Sequence, residues 1–159
     1  MTWPEDVERV SRFLREAAAE ARVEEFSTQT PTAEAAAEAI GCELREIVKS
    51  LLFECDGRAV LALVPGDRRA DPARVAAAAG AERARIADPE RVREVTGFEP
   101  GAVAPFPQPR VERTFIEAAL LSCKEVWVGA GSDRHMAGLA PAELVRLARA
   151  EPRALVRDD

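Results

Sequence analysis

The chain has 159 residues, which fits one ordinary domain and is too short for two full catalytic domains. Its 22 lysines and arginines against 28 aspartates and glutamates give a net charge of −6, and 47% hydrophobic with 31% charged residues is typical of a globular protein rather than a disordered one. No apolar run approaches the roughly 20 residues of a membrane span. The segment from Met1 to Asp6 lacks the basic start and apolar run of a signal peptide. These features predict one domain over residues 1–159, located in the cytoplasm.

The three cysteines do not indicate a disulfide framework or a metal centre. Cys42, Cys55 and Cys123 are an odd number, widely spaced, in a chain without an export signal. A structural zinc site needs about four ligands at short paired spacings, and His135 is the only histidine. We therefore predict no metal and no cofactor, with the cysteines acting as small core residues.

The pattern of apolar residues predicts the elements in chain order. An amphipathic helix is expected over residues 4–22, and a second over 31–41 with Thr32 as its N-cap and Gly41 just past its end. The pair Asp56-Gly57 between two apolar runs is a strong hairpin signal. The remaining predictions are strands at 44–55 and 58–64, a turn at 64–67, a helix from 71 to about 80, a strand at 83–86, a helix from 88 to 96, an irregular proline-rich stretch at 98–110, strands at 114–116, 125–129 and 136–139, and a helix at 141–150. This irregular interleaving favours an α+β domain with a mixed sheet over a doubly wound parallel sheet.

Standard catalytic motifs are missing. The sequence Gly129-Ala130-Gly131 contains a GxG, but no third glycine follows at the dinucleotide-binding spacing. Neither a phosphate-binding Walker motif nor a GxSxG nucleophile elbow occurs, and no nucleophile stands at recognisable spacing from His135. The sequence therefore favours chemistry without a covalent intermediate.

Three features are candidates for a functional site, each with a plainer alternative. Lys49 has apolar neighbours on its own strand face, so it is either paired with another group or a solvated lysine on a sheet edge. Residues 96–106 form a loop whose free amides could face a ligand oxygen, or only a connection. His135 follows a small-residue turn, where it could discriminate a substrate, move a proton or simply form a loop hydrogen bond.

Taken in order, four segments resemble one known family. They are the alanine-rich helix leading to Ile47–Phe53, the segment Leu63–Arg69, the loop from Thr96 to Pro105, and Val126–Gly131 followed by the helix after Leu139. Together they resemble the YbaK/prolyl-tRNA-synthetase-associated editing domain family over about residues 30–150. The resemblance implies a mixed, partly barrel-like sheet surrounded by helices. It also implies a free-standing enzyme that hydrolyses the ester of mischarged aminoacyl-tRNA.

The same resemblance implies roles for individual residues. Lys49 would hold the terminal phosphate of the substrate or polarise its ester, and the Gly101 amide would face the scissile carbonyl. Many relatives carry a second glycine where this chain has Ala102. His135 would help to exclude the cognate amino acid. The predicted substrate-binding residues are His135, Ala102, Gly131, Arg68 and Arg69.

The implied substrate is tRNA, most simply tRNA(Pro) carrying alanine, cysteine, serine or threonine. A net charge of −6 predicts modest tRNA affinity with local basic clusters at Arg68-Arg69 and Arg83/Arg85, so help from prolyl-tRNA synthetase is expected. Two alternatives stay open: a non-catalytic module that binds tRNA ends or a synthetase, and a small-molecule hydrolase using the same pocket. No protein general base is evident from the sequence.

Overall fold

A computed structural model describes residues 3–30 and 32–158 of the chain. In these residues helices alternate irregularly with strands, as the sequence predicts. The helices are α1 Glu5–Glu16, α2 Ala33–Ile40, α3 Pro72–Ala79, α4 Pro89–Thr96 and α5 Pro141–Ala148, with short 3-10 helices at Leu44–Glu46 and Ala118–Ser122. The strands are β1 Ala21–Glu25, β2 Val48–Cys55, β3 Arg58–Pro65, β4 Ala84–Ile86, β5 Arg113–Glu117, β6 Val126–Ser132, β7 His135–Leu139 and β8 Ala150–Arg153.

The strands form two sheets. One has the order β1-β7-β6 and is antiparallel, and the other has the order β4-β2-β3-β5-β8. In the larger sheet β5 runs parallel to both β3 and β8, whereas β2 is antiparallel to its two neighbours. The predicted mixed sheet of an α+β domain is therefore confirmed. Within the described residues the two sheets are joined by a single backbone bridge, between Ile47 and Trp127, and the larger sheet keeps open edges at β4 and β8, so they do not close into a barrel.

Local signals fix several elements as expected. Thr32 caps α2 by accepting a hydrogen bond from the Ala35 amide at 3.1 Å; the predicted start of this helix at Pro31 lies outside the described residues. Asp56 and Gly57 both have positive φ, 51° and 83°, and join β2 to β3 in a tight hairpin. The predicted hairpin and the predicted end of α2 at Gly41 are both confirmed.

Two helices are shorter than predicted, and in each case a strand begins where the predicted helix was expected to end. The helix predicted to residue 22 ends at Glu16, Ala18 takes a positive φ of 51°, and β1 pairs with β7. Likewise α5 ends at Ala148, Arg149 has φ 52°, and β8 pairs with β5. In both places an alanine- and arginine-rich sequence favours helix locally, but an open strand edge provides hydrogen bonds that override this propensity. The predicted strand start at residues 44–46 is instead a 3-10 helix, closed by reciprocal bonds between Glu43 and Glu46.

The core lies on both faces of the larger sheet. Leu61 and Leu63 of β3 pack with Phe98 and Phe106 of the proline-rich loop between the two sheets. Val60 and its neighbours on the opposite face pack under α3 in a second cluster. Burial on both faces explains the almost uninterrupted apolar run of β3. None of the helices within the described residues has the length and apolar character needed to cross a bilayer.

Glu143 ties α5 to the chain before β1 and makes stability depend on pH. Its carboxylate accepts a hydrogen bond from Arg146 Nε at 2.6 Å and another from the Glu20 amide at 2.7 Å. These bonds, that of Arg146 first, lower the pKa of Glu143 from 4.5 to about 2. The stabilisation is therefore complete above pH 4.5 and is lost as the pH falls toward 2.

We expect Glu143→Gln to lower the free energy of unfolding by about 1 kcal/mol at pH 7 and by much less at pH 2, where half of the wild-type carboxyl groups are protonated in the folded state. Urea denaturation of both proteins at the two pH values measures the difference. An equal difference at both values would contradict the assignment.

Candidate active site

A cavity of about 300 Å³ opens where the start of β2 meets α2, the loop after α4, and strands β6 and β7. Most of its wall is apolar, and a few polar groups and glycines are among the lining residues. The lining residues are Thr30, Thr32, Ala33, Ala36, Ile47, Val48, Lys49, Ser50, Leu51, Gly101, Val103, Gly129 and Met136. An apolar cavity with a few convergent polar groups is the usual form of a small-ligand site.

Lys49 is the cation of this cavity. It lies on β2 opposite Val64, and its Nζ donates a hydrogen bond of 2.7 Å to the main-chain carbonyl of Arg68. Of the two readings of Lys49, pairing with another group is thus the one observed. Burial lowers the pKa of Lys49, with nearby Glu34 acting in the opposite direction. Because an ammonium has three donors, the bond to Arg68 leaves two for another acceptor.

Gly101 also lines this cavity and lies in the loop that follows α4. It has a positive φ of 86°, a conformation that favours glycine. The next amide, that of Ala102, donates to the Glu99 carbonyl at 2.9 Å, while the Gly101 amide has no main-chain acceptor within residues 3–30 and 32–158. The loop therefore has one N–H without a main-chain acceptor beside the cavity.

Gly129 on β6 holds this loop close. A Cβ at Gly129 would lie 2.6 Å from the carbonyl oxygen of Val103, which is far inside van der Waals contact. The absence of a side chain at position 129 therefore lets the loop approach the strand and form the cavity wall. Sequence reasoning treated Gly129 only as part of a turn and missed this role.

Ser50 is a second residue that the sequence did not single out. Its Oγ is buried and has no hydrogen-bond partner in the described part of the chain, although Ser50 lines the cavity. A buried hydroxyl without a partner costs stability, so it usually has a reason to be there. The available signal was a serine between Val48 and Leu52, two apolar residues on the same strand face.

The other predicted site residues do not line this cavity. The Arg68 guanidinium donates to the main-chain carbonyl of Arg157, and Arg69 is exposed nearby. Ala102 is buried beside the cavity without lining it. Gly131, with φ 103°, packs against helix α1, where a Cβ would lie 2.8 Å from main-chain atoms of Asp6.

His135 lies behind the cavity wall. It is 2% exposed, its Nδ1 is 2.6 Å from Ser132 Oγ, and its ring meets that of Trp3 edge-on at 5.3 Å. Its Nε2 is 3.1 Å from Glu25 Oε2, without the alignment of a hydrogen bond. Since successive strand residues face opposite ways, it is Met136 that reaches the cavity. The structure thus brings together Lys49 and Gly101, and leaves His135 outside.

Comparison with known proteins agrees with this geometry. The model of the aminoacyl-tRNA editing domain matches residues 27–147. The uncharacterized protein YwhH of Bacillus subtilis (strain 168) is 36% identical over 123 residues, which cover 77% of this chain and 78% of YwhH. A proline–tRNA ligase of Maridesulfovibrio salexigens is 34% identical over 120 residues, or 74% of this chain, but the match spans only 20% of the ligase.

Solved structures give the same result over almost the whole chain. A protein described as a proposed trans-editing enzyme for prolyl tRNA synthetase superposes with a TM-score of 0.91 and 34% identity, covering 98% of this chain and 99% of that one. The hypothetical protein APE2540 superposes with a TM-score of 0.88 at 27% identity, covering 94% and 99%. The family-model match over residues 27–147 includes every residue that lines the cavity. The chain therefore belongs to the aminoacyl-tRNA editing domain family, as its ordered motifs predict.

Proposed function

We propose that this protein is a trans-editing hydrolase that removes a small amino acid from mischarged tRNA, with tRNA(Pro) carrying alanine, cysteine, serine or threonine as the substrate class. The observation that carries the proposal is that Lys49 and Gly101 face one apolar cavity of about 300 Å³. A side chain of that size class can be buried in the cavity while its ester bond lies between the ammonium and the loop amide. Membership of the editing-domain family supports the same reaction.

Hydrolysis of an aminoacyl ester requires few catalytic groups from the protein. A water oxygen attacks the ester carbonyl carbon, the bond from that carbon to the ribose oxygen breaks, and the ribose oxygen takes up a proton. The Gly101 amide is suited to stabilise the negative charge that develops on the carbonyl oxygen, and Lys49 to hold the terminal phosphate or the ester region. An aminoacyl ester is already activated, so no side chain is assigned as a general base, and the neighbouring ribose hydroxyl orients the water.

The negative net charge of the chain suggests that a second protein assists tRNA binding. With a net charge of −6, the chain offers only local basic clusters to the tRNA backbone. Arg69 is exposed close to Lys49, whose pKa it helps to lower, and is therefore placed to meet phosphate near the cavity. We propose that prolyl-tRNA synthetase, which already holds the tRNA, assists binding.

His135 is retained as a residue that shapes which amino acid is accepted. Because its ring lies behind β7, this effect is transmitted through the position of Met136 rather than by contact with substrate. In that role His135→Ala widens specificity and leaves the hydrolysis of a small substrate in place. Paired rates on prolyl-tRNA and on the preferred mischarged tRNA measure this.

The deciding experiment incubates the purified protein with tRNA(Pro) charged with alanine, cysteine, serine, threonine or proline, with and without prolyl-tRNA synthetase. We expect loss of one or more of the first four amino acids and retention of proline. Binding of charged tRNA without any release would make the protein a non-catalytic module. Release from small aminoacyl esters but not from tRNA would make it a small-molecule hydrolase.

Ser50 provides a test that separates activity from folding. Because its buried Oγ lacks a partner, Ser50→Ala is expected to leave the free energy of unfolding unchanged or to raise it by up to about 1 kcal/mol. If Oγ binds the substrate or its water, the same variant loses about tenfold or more in kcat/KM. Ser122→Ala, which removes a hydroxyl that bonds to the Ala119 carbonyl at 2.9 Å and lies away from the cavity lining, is the control. Unchanged activity in Ser50→Ala would return Ser50 to a packing role.

A further inference from the structure

The last described residues form a small ladder with the segment that follows β3. The Asp71 amide donates to the Leu155 carbonyl at 2.7 Å, and the Arg157 amide donates to the Arg69 carbonyl at 2.8 Å. Between these bonds, Ala70 and Val156 pair as an antiparallel bridge. Residues 155–157, here called the brace, thus fix the main chain of residues 69–71.

A buried carboxylate holds the brace in place. Glu117, at the end of β5, is 6% exposed. Its Oε1 accepts from the Leu155 amide at 2.8 Å and the Val156 amide at 3.2 Å, while its Oε2 accepts from the Ala119 amide at 2.9 Å. Three amide donors offset the cost of burying the charge, and no cation bonds to Glu117 among the ion pairs of the described chain. In a glutamine at position 117, one of the two oxygens becomes an NH₂ group. That NH₂ group would face a main-chain N–H, and two donors cannot bond to each other.

The other end of this chain of contacts reaches the cavity. The Arg68 side chain donates to the Arg157 carbonyl, and the Arg68 main-chain carbonyl is the acceptor that holds Lys49 Nζ at 2.7 Å. Arg68 therefore connects the brace to Lys49 through both its side chain and its main chain. Neither Glu117 nor residues 155–157 line the cavity.

We propose that the brace positions Lys49, with Glu117 as its anchor and Arg68 as its link to the cavity. These are positioning residues: they fix the Arg68 carbonyl, which in turn fixes one donor of the ammonium and directs the other two into the cavity. The inference rests on the proposed function only for its catalytic consequence, since the orientation of Lys49 is a property of the fold. It also gives Arg68 a role different from the direct substrate contact that the family resemblance implies.

The chain is well suited to a direct test because its sequence has just two lysines, Lys49 and Lys124. Lysine labelled with ¹³C and ¹⁵N at its terminal atoms gives one signal from the cavity and one from exposed Lys124, which serves as an internal reference. The variants are Glu117→Gln and Arg68→Met. The matched control is Arg113→Met, which breaks an ion pair of 2.9 Å between β5 and β8 without touching the brace.

We expect both brace variants, and not the control, to shift the Lys49 titration upward, because a loosened ammonium is better solvated. We also expect kcat/KM for deacylation to fall about tenfold or more, since small misplacement of a catalytic group is costly. In a Lys49→Ala background the same changes are expected to cost less than about twofold, because groups that act through one residue are not additive.

The outcomes separate the brace from the proposed function. A shifted Lys49 signal in a protein that deacylates nothing supports the brace and refutes the function. An unshifted Lys49 signal in a folded Arg68→Met protein overturns the brace, even if activity falls, because Arg68 would then contact the substrate directly. If Glu117→Gln does not fold, Arg68→Met decides alone, since its side chain is half-buried and leaves the core covered.

Discussion

Replacing Lys49 with alanine is expected to remove most deacylation while the protein remains folded. The ammonium is the one cationic group that lines the cavity within the described residues, so its loss removes the charge that would hold the phosphate or ester. Removal of one preorganised charged donor typically costs about 10²-fold or more in rate. The change in stability is expected to stay within about 1 kcal/mol, because the lost hydrogen bond to Arg68 is offset by the relief of burying a charge.

Single-turnover rates on the best mischarged tRNA measure this loss, and urea denaturation measures the stability. Lys124→Ala is the control, since it removes an exposed lysine of the same type far from the cavity lining. Wild-type rates in a folded Lys49→Ala protein would remove Lys49 from the site. Equal loss in the Lys124 variant would point to general electrostatic attraction of tRNA instead.

The substitution Gly129→Ala is expected to damage the cavity from its other side. Its new Cβ would lie 2.6 Å from the Val103 carbonyl oxygen, and a main-chain atom cannot swing aside as a flexible side chain does. The loop that carries Gly101 must therefore move away from β6. We expect a loss of about 10²-fold in kcat/KM, because the loop amide no longer faces the ester, and a stability cost of about 1–3 kcal/mol from overpacking.

Because Gly129→Ala is expected to lower both stability and activity, its control must lower stability and leave activity unchanged. Gly80→Ala meets this need: it lies past the end of α3 with a positive φ of 67°, has open space around its Cβ position and is far from the cavity. We expect it to lose about 1 kcal/mol of stability and to keep its activity. If both variants lose activity in proportion to their stability, Gly129 has no special role in the site.

Some features of the site could be predicted from residues alone because their signals are local. Lys49 stood out as a charge on an apolar strand face, and residues 96–106 as an irregular loop of glycines and prolines, within which the family resemblance singled out Gly101. Both features survive in the structure because strand alternation and backbone conformation depend on neighbours in sequence. Ser50 carried a similar signal, but a serine costs little on a strand and does not attract attention.

Other features depended on contacts between distant segments. His135 was expected at a pocket, but the pairing of β7 with β6 and β1 turns Met136 inward and His135 toward Trp3. Arg68 was expected to meet phosphate, whereas its side chain reaches Arg157, 89 positions away in sequence. No local pattern encodes such partners.

The sequence by itself determined the family, the alternation of helices and strands and the hairpin at Asp56-Gly57, and it offered Lys49 and Gly101 as candidates for the proposed site. These rest on hydrophobic period, caps and turn residues, which act over a few positions. Only the tertiary structure decided that residues 21–25 and 150–153 are strands, that Ser50 and Gly129 line the cavity, and that Glu117 accepts hydrogen bonds from the Leu155 and Val156 amides. Those outcomes depend on strand edges and main-chain donors supplied by remote parts of the chain, whose free energy outweighs local propensity.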